Sequence, residues 1–256
     1  MGPSRADILD TYDRQLTPSL ISRHAALTGY FVKILALETT ERIGTVAAAE
    51  DDHIVGQLRL DPALRSAQSL VPGLAQLLDQ VDWQPADVDL VTLTIGPGSF
   101  TGLRLGVTTA KTFACAAGAE ILGVDTLEVI AAAVPHEIDR LAVAVDAQRG
   151  QLAAAVFRRR DDGRFEAEEP TRLVDAQAWL ARLAEEGVTV AGPILDKLKS
   201  RLPGNLKTVI PEFWHPTAGA VARLAWADYA RGRRDDPWQL VPRYSRRSAA
   251  EEKLDS

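Results

Sequence analysis

Residues 34–50 read ILALETTERIGTVAAAE, and residues 141–157 read LAVAVDAQRGQLAAAVF. In each, an apolar run ends in an acidic residue, a polar turn and a glycine follow, and a second apolar run closes the segment. The acids are Glu38 and Asp146, and the glycines are Gly44 and Gly150. Short apolar runs bounded by turn residues read as paired strands. A third β-type run follows each pair, HIVGQLRL at 53–60 and RFEAEEPTRLV at 164–174. Further out, AQSLVPGLAQLLDQV (67–81) carries Leu70, Leu74, Leu77, Leu78 and Val81 at helical spacing, and VDLVTLTI (88–95) reads as a buried strand. The same order returns after the second triplet, as AQAWLARLAEE (176–186) and VTVAG (188–192). Two halves repeating three strands, a helix and a strand predict a duplicated α/β fold.

Between the halves, a helix running to about Ala117 is expected to stop at Gly118 in the left-handed conformation. AEILGV (119–124) reads as a strand, and Thr126 as the cap of a helix LEVIAAAV that ends before Pro135. The closing part predicts a short helix in ILDKLKSRL (194–202), a strand KTVI (207–210) and an amphipathic helix TAGAVARLAWADYARG (217–232). The expected organisation is an N-terminal extension at 1–32, a first α/β domain at 33–136 and a second at 137–256 with a basic C-terminal segment. The extension has no continuous apolar stretch of the secretory kind and reads as flexible, with a short docking helix in SLISRHAAL (19–27) as the rival.

Composition narrows the function classes. The chain has 256 residues, 46% of them hydrophobic, and a formal charge of −6 from 35 acidic and 29 basic residues. That balance argues against a globally basic nucleic-acid binder. One cysteine, Cys115, and four scattered histidines offer neither a disulfide framework nor zinc spacing, which suits a reducing cytoplasm. No run approaches the roughly 20 apolar residues of a membrane span.

Two places carry candidate chemistry. Glu38, Thr39 and Thr40 put a carboxylate beside hydroxyl and backbone donors at a strand end, a turn able to hold phosphate or position a metal; a strand-end turn bonding its own backbone explains the same residues. GPGSFTGLRLG (96–106) is richer, because Gly96, Gly98 and Gly102 allow backbone angles closed to other residues and Ser99 or Thr101 is placed to cap a helix. A helix start with free N–H groups attracts anions. The spacing nevertheless matches neither a Walker loop nor a dinucleotide fingerprint, and no lysine follows before Lys111. A nucleotide site built here would use Glu38, Thr39, Thr40, Gly96, Ser99 and Asp146.

The helix that follows is crowded with small residues, Gly106, Thr109 and Ala110 among them, which let another helix approach closely. Packing on its own sheet explains them equally. Phe100 looks exposed and in need of cover. Ser99 lies outside any nucleophile elbow, and His53, His136 and His215 stand isolated, so no catalytic residue and no metal ligand is assigned. Six arginines between Arg231 and Arg247 face two aspartates, a local charge able to meet RNA phosphate, an acidic partner or simply water.

Taken in order, ILALETT, LVPGLAQLL, GPGSFTGLRLGVTTAKTFA, GVDTLEVIA, VDAQRGQLAAAVF and PRYSRRSAAEEKL resemble the bacterial TsaB (YeaZ) family, a Gcp-like, M22-peptidase-like group. The resemblance covers about residues 33–253, and GPGSFTGLR is its specific part. It implies two ribonuclease-H-like halves of the actin, sugar-kinase and Hsp70 superfold. It also implies a scaffold subunit for making N6-threonylcarbamoyladenosine at position 37 of tRNA. A TsaD-type paralogue would carry catalysis, a TsaE-type ATPase would join the pair, and tRNA would be met through the complex. On that reading the protein needs no cofactor of its own, ATP entering at the level of the complex; monomer and homodimer through the same face are both left open for the free protein. The implied partner interface is Gly98, Phe100, Thr101, Gly102, Arg104, Gly106, Thr109, Ala110 and Phe113. The paralogue's H-x-x-x-H pair is missing from RSAQSLVPGL, Glu38 stands where aspartate is usual, and Ser66 lies near where many members have histidine. The alternative is an independent ATP-binding enzyme of the same superfold, a small-molecule kinase or an M22-type peptidase.

Overall fold

The computed structural model describes residues 31–64 and 66–246. The expectations for the N-terminal extension therefore fall on residues outside the described ones, except at its end. Val32 already belongs to the fold, buried and donating its N–H to Asp51 Oδ1 at 2.9 Å.

The first lobe contains β1 (Lys33–Glu38), β2 (Thr45–Glu50), β3 (His53–Arg59), α1 (Ser66–Gln80), β4 (Leu90–Gly96), α2 (Phe100–Ala117) and β5 (Glu120–Asp125). Its sheet runs β3-β2-β1-β4-β5, antiparallel through the β1–β3 meander and parallel from β1 to β4 to β5. After α3 (Thr126–Ala132), the second lobe repeats the scheme with β6 (Arg140–Asp146), β7 (Gln151–Arg159), β8 (Phe165–Asp175), α4 (Ala176–Glu186) and β9 (Thr189–Ala191). Its order is β8-β7-β6-β9, with β9 parallel to β6. The two sheets share the ribonuclease-H-like order, the second one strand shorter.

The repeat seen in the sequence is a repeat of register. Glu38 pairs with Thr45 in the last rung of the β1–β2 ladder, and Asp146 pairs with Leu152 in the last rung of β6–β7. Both acids thus stand where a central strand leaves the sheet for its hairpin turn. Neighbouring residues on both strands are fully buried, which explains why the runs are apolar without alternation.

Leu70, Leu74, Leu77 and Leu78 of α1 meet Val107, Ala110 and Ala114 of α2 in the first core. Each core also draws on chain from the other side of residue 136. Leu127, Ile130 and Ala131 of α3 join the second core, beside Trp179 and Leu183 of α4 and Ile194 and Leu195 of α5 (Ile194–Leu198). In return α6 (Ala218–Tyr229) crosses back and lies on β1, β2 and β4. Helices α3 and α6 touch, linking the lobes.

Three local readings need correction. Asp125, not Thr126, caps α3: its Oδ1 accepts from Leu127 N at 2.8 Å and Glu128 N at 3.4 Å, while Thr126 is buried in the first turn. An aspartate one residue earlier does the same work, and nothing in the sequence separated the two. Residues 207–210 form only the single bridge Val190–Thr208 rather than a strand. The arginine-rich tail is built into the fold, mainly onto the first lobe. Arg233 donates to Gly123 O at 2.6 Å and Asp235 accepts from Gly123 N at 2.9 Å, so side chains satisfy the open edge of β5. Arg231 and Arg233 pair with Asp228, Arg234 with Glu120, and Arg246 with Gln151. Leu240 is buried in the first core.

Leu240→Ala is therefore expected to destabilise the protein by about 2–3 kcal/mol, as deletion of a buried leucine side chain does. Urea denaturation checks this; an unchanged midpoint would mean the tail is not part of the core.

Candidate functional site

Strand β4 is buried along its whole length and delivers the chain to Gly96 at the edge of the sheet. Ser99 caps α2, its Oγ accepting from Gly102 N at 3.3 Å, and Gly118 ends the helix at φ 73° with its N–H on Ala114 O. Against this helix start lies the turn that follows β1. Thr40 O accepts from Ser99 N at 3.1 Å, and the Thr39 hydroxyl donates to Gly102 O at 2.8 Å.

That contact explains the bare backbone. A Cβ on Gly98 would come within 2.5 Å of Thr40 Cβ, one on Gly102 would enter the Thr39 carbonyl, and one on Gly106 would strike the Thr39 hydroxyl. Gly96 combines φ of 122° with close approach of the Arg243 carbonyl, and Arg243 N donates to Ile95 O at 2.6 Å. The glycines are bare for the chain's own turn and tail. Gly102, Gly106 and Ala110 are buried, so the expectation that they meet a partner is corrected: Thr39 already fills the space in front of the two glycines, and Ala110 belongs to the core.

The remaining residues of the expected interface divide by exposure. Thr101 and Arg104 are exposed; Gly98, Phe100, Thr109 and Phe113 are half-buried. Phe100 has its cover from within, since Tyr244 lies 4.5 Å away between ring centroids and Arg104 sits 4.0 Å over its ring. Arg104 Nε also donates to Tyr244 Oη at 3.0 Å. The outward stripe of α2 is Thr101, Arg104, Thr108 and Thr112, and α1 adds Val71, 61% exposed, and Ala75. Thr108, one of the small residues of this helix, and Thr112 share the face of Thr101 and Arg104, although the expected interface included neither.

The two acids diverge. Glu38 is fully buried, and its Oε1 accepts from Thr40 N at 2.7 Å, from the Thr40 hydroxyl in a short bond and from the Thr94 hydroxyl at 3.4 Å. Its Oε2 is buried with no hydrogen-bond partner. Burial raises the pKa to about 7 against the pull of the Thr40 bonds. Asp146 also feels burial, but the Lys197 ammonium at 2.6 Å and the Gln148 N–H at 2.8 Å outweigh it and lower its pKa. The nucleotide-site candidates thus meet the chain itself: Glu38 meets Thr40 and Thr94, Thr39 meets Gly102, Ser99 meets Thr40 and Gly102, Gly96 meets Arg243, and Asp146 meets Lys197. Among the described residues, no three His, Cys, Asp or Glu side chains converge as a metal site.

Two lobes of ribonuclease-H-like strand order, with a glycine-faced helix behind the first turn, define a duplicated two-lobed α/β protein. A family model described as "TsaD: tRNA N6-adenosine threonylcarbamoyltransferase" matches residues 63–204. The chain is 30% identical over 153 residues to the tRNA threonylcarbamoyladenosine biosynthesis protein TsaB of Bacillus subtilis, covering 60% of this chain and 66% of that protein. With the protein of the same name from Escherichia coli the identity is 26% over 233 residues, covering 87% and 98%. The solved structure of YeaZ from Pseudomonas aeruginosa superposes with a TM-score of 0.70 at 23% identity over 83% of this chain and 99% of that one, a likeness of fold. The chain belongs to the TsaB (YeaZ) family.

Gly102→Ala is expected to destabilise the protein measurably, because the new methyl has only the Thr39 backbone to displace. For Glu38 the sign follows from linkage. Its folded pKa exceeds the ordinary 4.5, so the native state keeps a proton that the unfolded chain releases, and stability falls as pH rises from about 4.5 to about 7. Glu38→Gln removes that cost, on the order of 3 kcal/mol when Glu38 is ionised. Melting should show the variant gaining several degrees over the parent at pH 8 and little at pH 4.5. Equal gains at both pH values would refute the assignment.

Proposed function

We propose that this protein is the non-catalytic, partner-binding subunit of a tRNA-modifying assembly that forms N6-threonylcarbamoyladenosine at position 37 of tRNA. The TsaB name of its relatives gives the pathway. The observation that carries the non-catalytic reading is that the chain packs on its own helix start, Thr39 on the Gly102 carbonyl and Thr40 O on the Ser99 N–H, while Lys197 sits on Asp146. Chemistry is left to a TsaD-type transferase, with a TsaE-type ATPase joining the pair and tRNA met through the assembly. No nucleotide or metal is required by this subunit itself. None of the described helices is long and apolar enough to cross a membrane, and we place the assembly in the cytoplasm.

The docking face is the exposed side of α2, Thr101, Arg104, Thr108 and Thr112, with the exposed Val71 and Ala75 of the neighbouring α1. Small and half-apolar side chains there let a partner's helices lie close, with Arg104 and Phe100 as its anchoring end. Thr108→Arg is expected to abolish co-purification with the cognate TsaD-type protein, to lower threonylcarbamoyl transfer in the reconstituted assembly by at least about tenfold, and to leave the melting temperature unchanged. Glu185→Arg, exposed on α4 of the other lobe, serves as the control and should change nothing. Full transfer by the partner without this protein, in a mixture otherwise complete, would overturn the reading.

A further inference from the structure

The chain crosses from the second lobe to the first between Trp214, which is planted in the second core, and Ala218, whose N–H donates to Thr45 Oγ1 at 2.8 Å on the first sheet. His215 stands on that crossing. Its Nε2 lies 2.7 Å from Asp196 Oδ2 on α5 of the second lobe, and its Nδ1 lies 3.5 Å from Glu41 Oε2 in the β1–β2 turn of the first. Two carboxylates on the two ring nitrogens call for two N–H donors, and only the imidazolium has both.

We infer that protonated His215 is a staple across the crossing, holding the first lobe's ligand-loop turn to the second lobe, and that loss of its proton frees the lobes to move. The charged groups acting on the ring are Glu41 and Asp196, and the Glu41 hydrogen bond is the largest cause of a pKa raised above the ordinary 6.5, with partial burial opposing it. Lys197, next on α5, is engaged by Asp146 and does not supply a competing cation at these carboxylates. A raised folded pKa makes the staple's contribution complete below about 6.5 and lost as pH rises through the folded value. A neutral ring donates to one carboxylate only, leaving the other lobe's acid without its cation. The turn so released is the one whose Thr39 and Thr40 close the start of α2. The inference does not depend on the partner proposed above.

The full chain tests it. The proton on the His215 ring, followed by NMR, should titrate above 6.5, and in the Glu41→Gln, Asp196→Asn double variant it should fall back towards 6.5. Single-molecule energy transfer between dyes on Cys115 in α2 and on Glu185→Cys in α4 reads the lobes directly. The parent should give a narrow distribution at pH 6 that broadens at pH 9. His215→Gln and the double variant should be broad at both, and because the double variant keeps the histidine, its result stands even if His215→Gln fails to fold. A parent distribution unchanged between the two pH values, or a double variant as narrow as the parent at pH 6, would overturn the staple.

Discussion

The first lobe is organised around one close contact, the seating of Thr39 and Thr40 against the glycine face that opens α2. A hydroxyl on the Gly102 carbonyl and a carbonyl on the Ser99 N–H hold a turn and a helix start together where a side chain on either glycine would separate them. The contact fixes where β1 ends, and so fixes Glu38 in a fully buried position beneath the turn. It also sets the helix so that its small residues face inward and its threonines and Arg104 face outward. Two N–H groups of this helix start are taken by the chain itself, Ser99 N by Thr40 O and Gly102 N by Ser99 Oγ.

The second lobe repeats the geometry with different chemistry. Asp146 occupies the rung equivalent to Glu38 yet keeps its charge, because Lys197 stands beside it. One acid is held near neutrality by burial and the other is held ionised by a resident cation, and both are engaged by their own chain. The lobes in turn are joined by exchange: α3 serves the second core, α6 returns to the first sheet, and the tail from Arg233 to Tyr244 closes the edge of β5 and the underside of the glycine loop.

Much of this was legible in the sequence. The duplicated strand, acid, turn and glycine pattern of 34–50 and 141–157 predicted both hairpins, and leucines at helical spacing predicted α1. Gly118 and Ser99 could be read as helix punctuation. The role of the glycines could not: glycine reports that something comes close but not what, and Thr39 lies about sixty residues upstream of Gly102 and Gly106. The same limit applied to Phe100, whose cover, Tyr244, arrives from the far end of the chain. His215 looked isolated because Glu41 and Asp196 are brought to it only by the crossing between lobes. Pairwise spacing on one helix was available, and would have identified Thr108 and Thr112 as neighbours of Arg104.

In this chain the turn after β1 closes onto the start of α2, Thr39 bonding Gly102 O and Thr40 O taking the Ser99 N–H. Isothermal titration of ATP with Mg²⁺ into the isolated protein tests this closure most directly. No saturable heat is expected. Tight, stoichiometric binding that Glu38→Ala abolishes would contradict it, because a nucleotide would then have to displace Thr39 and Thr40 from the start of α2.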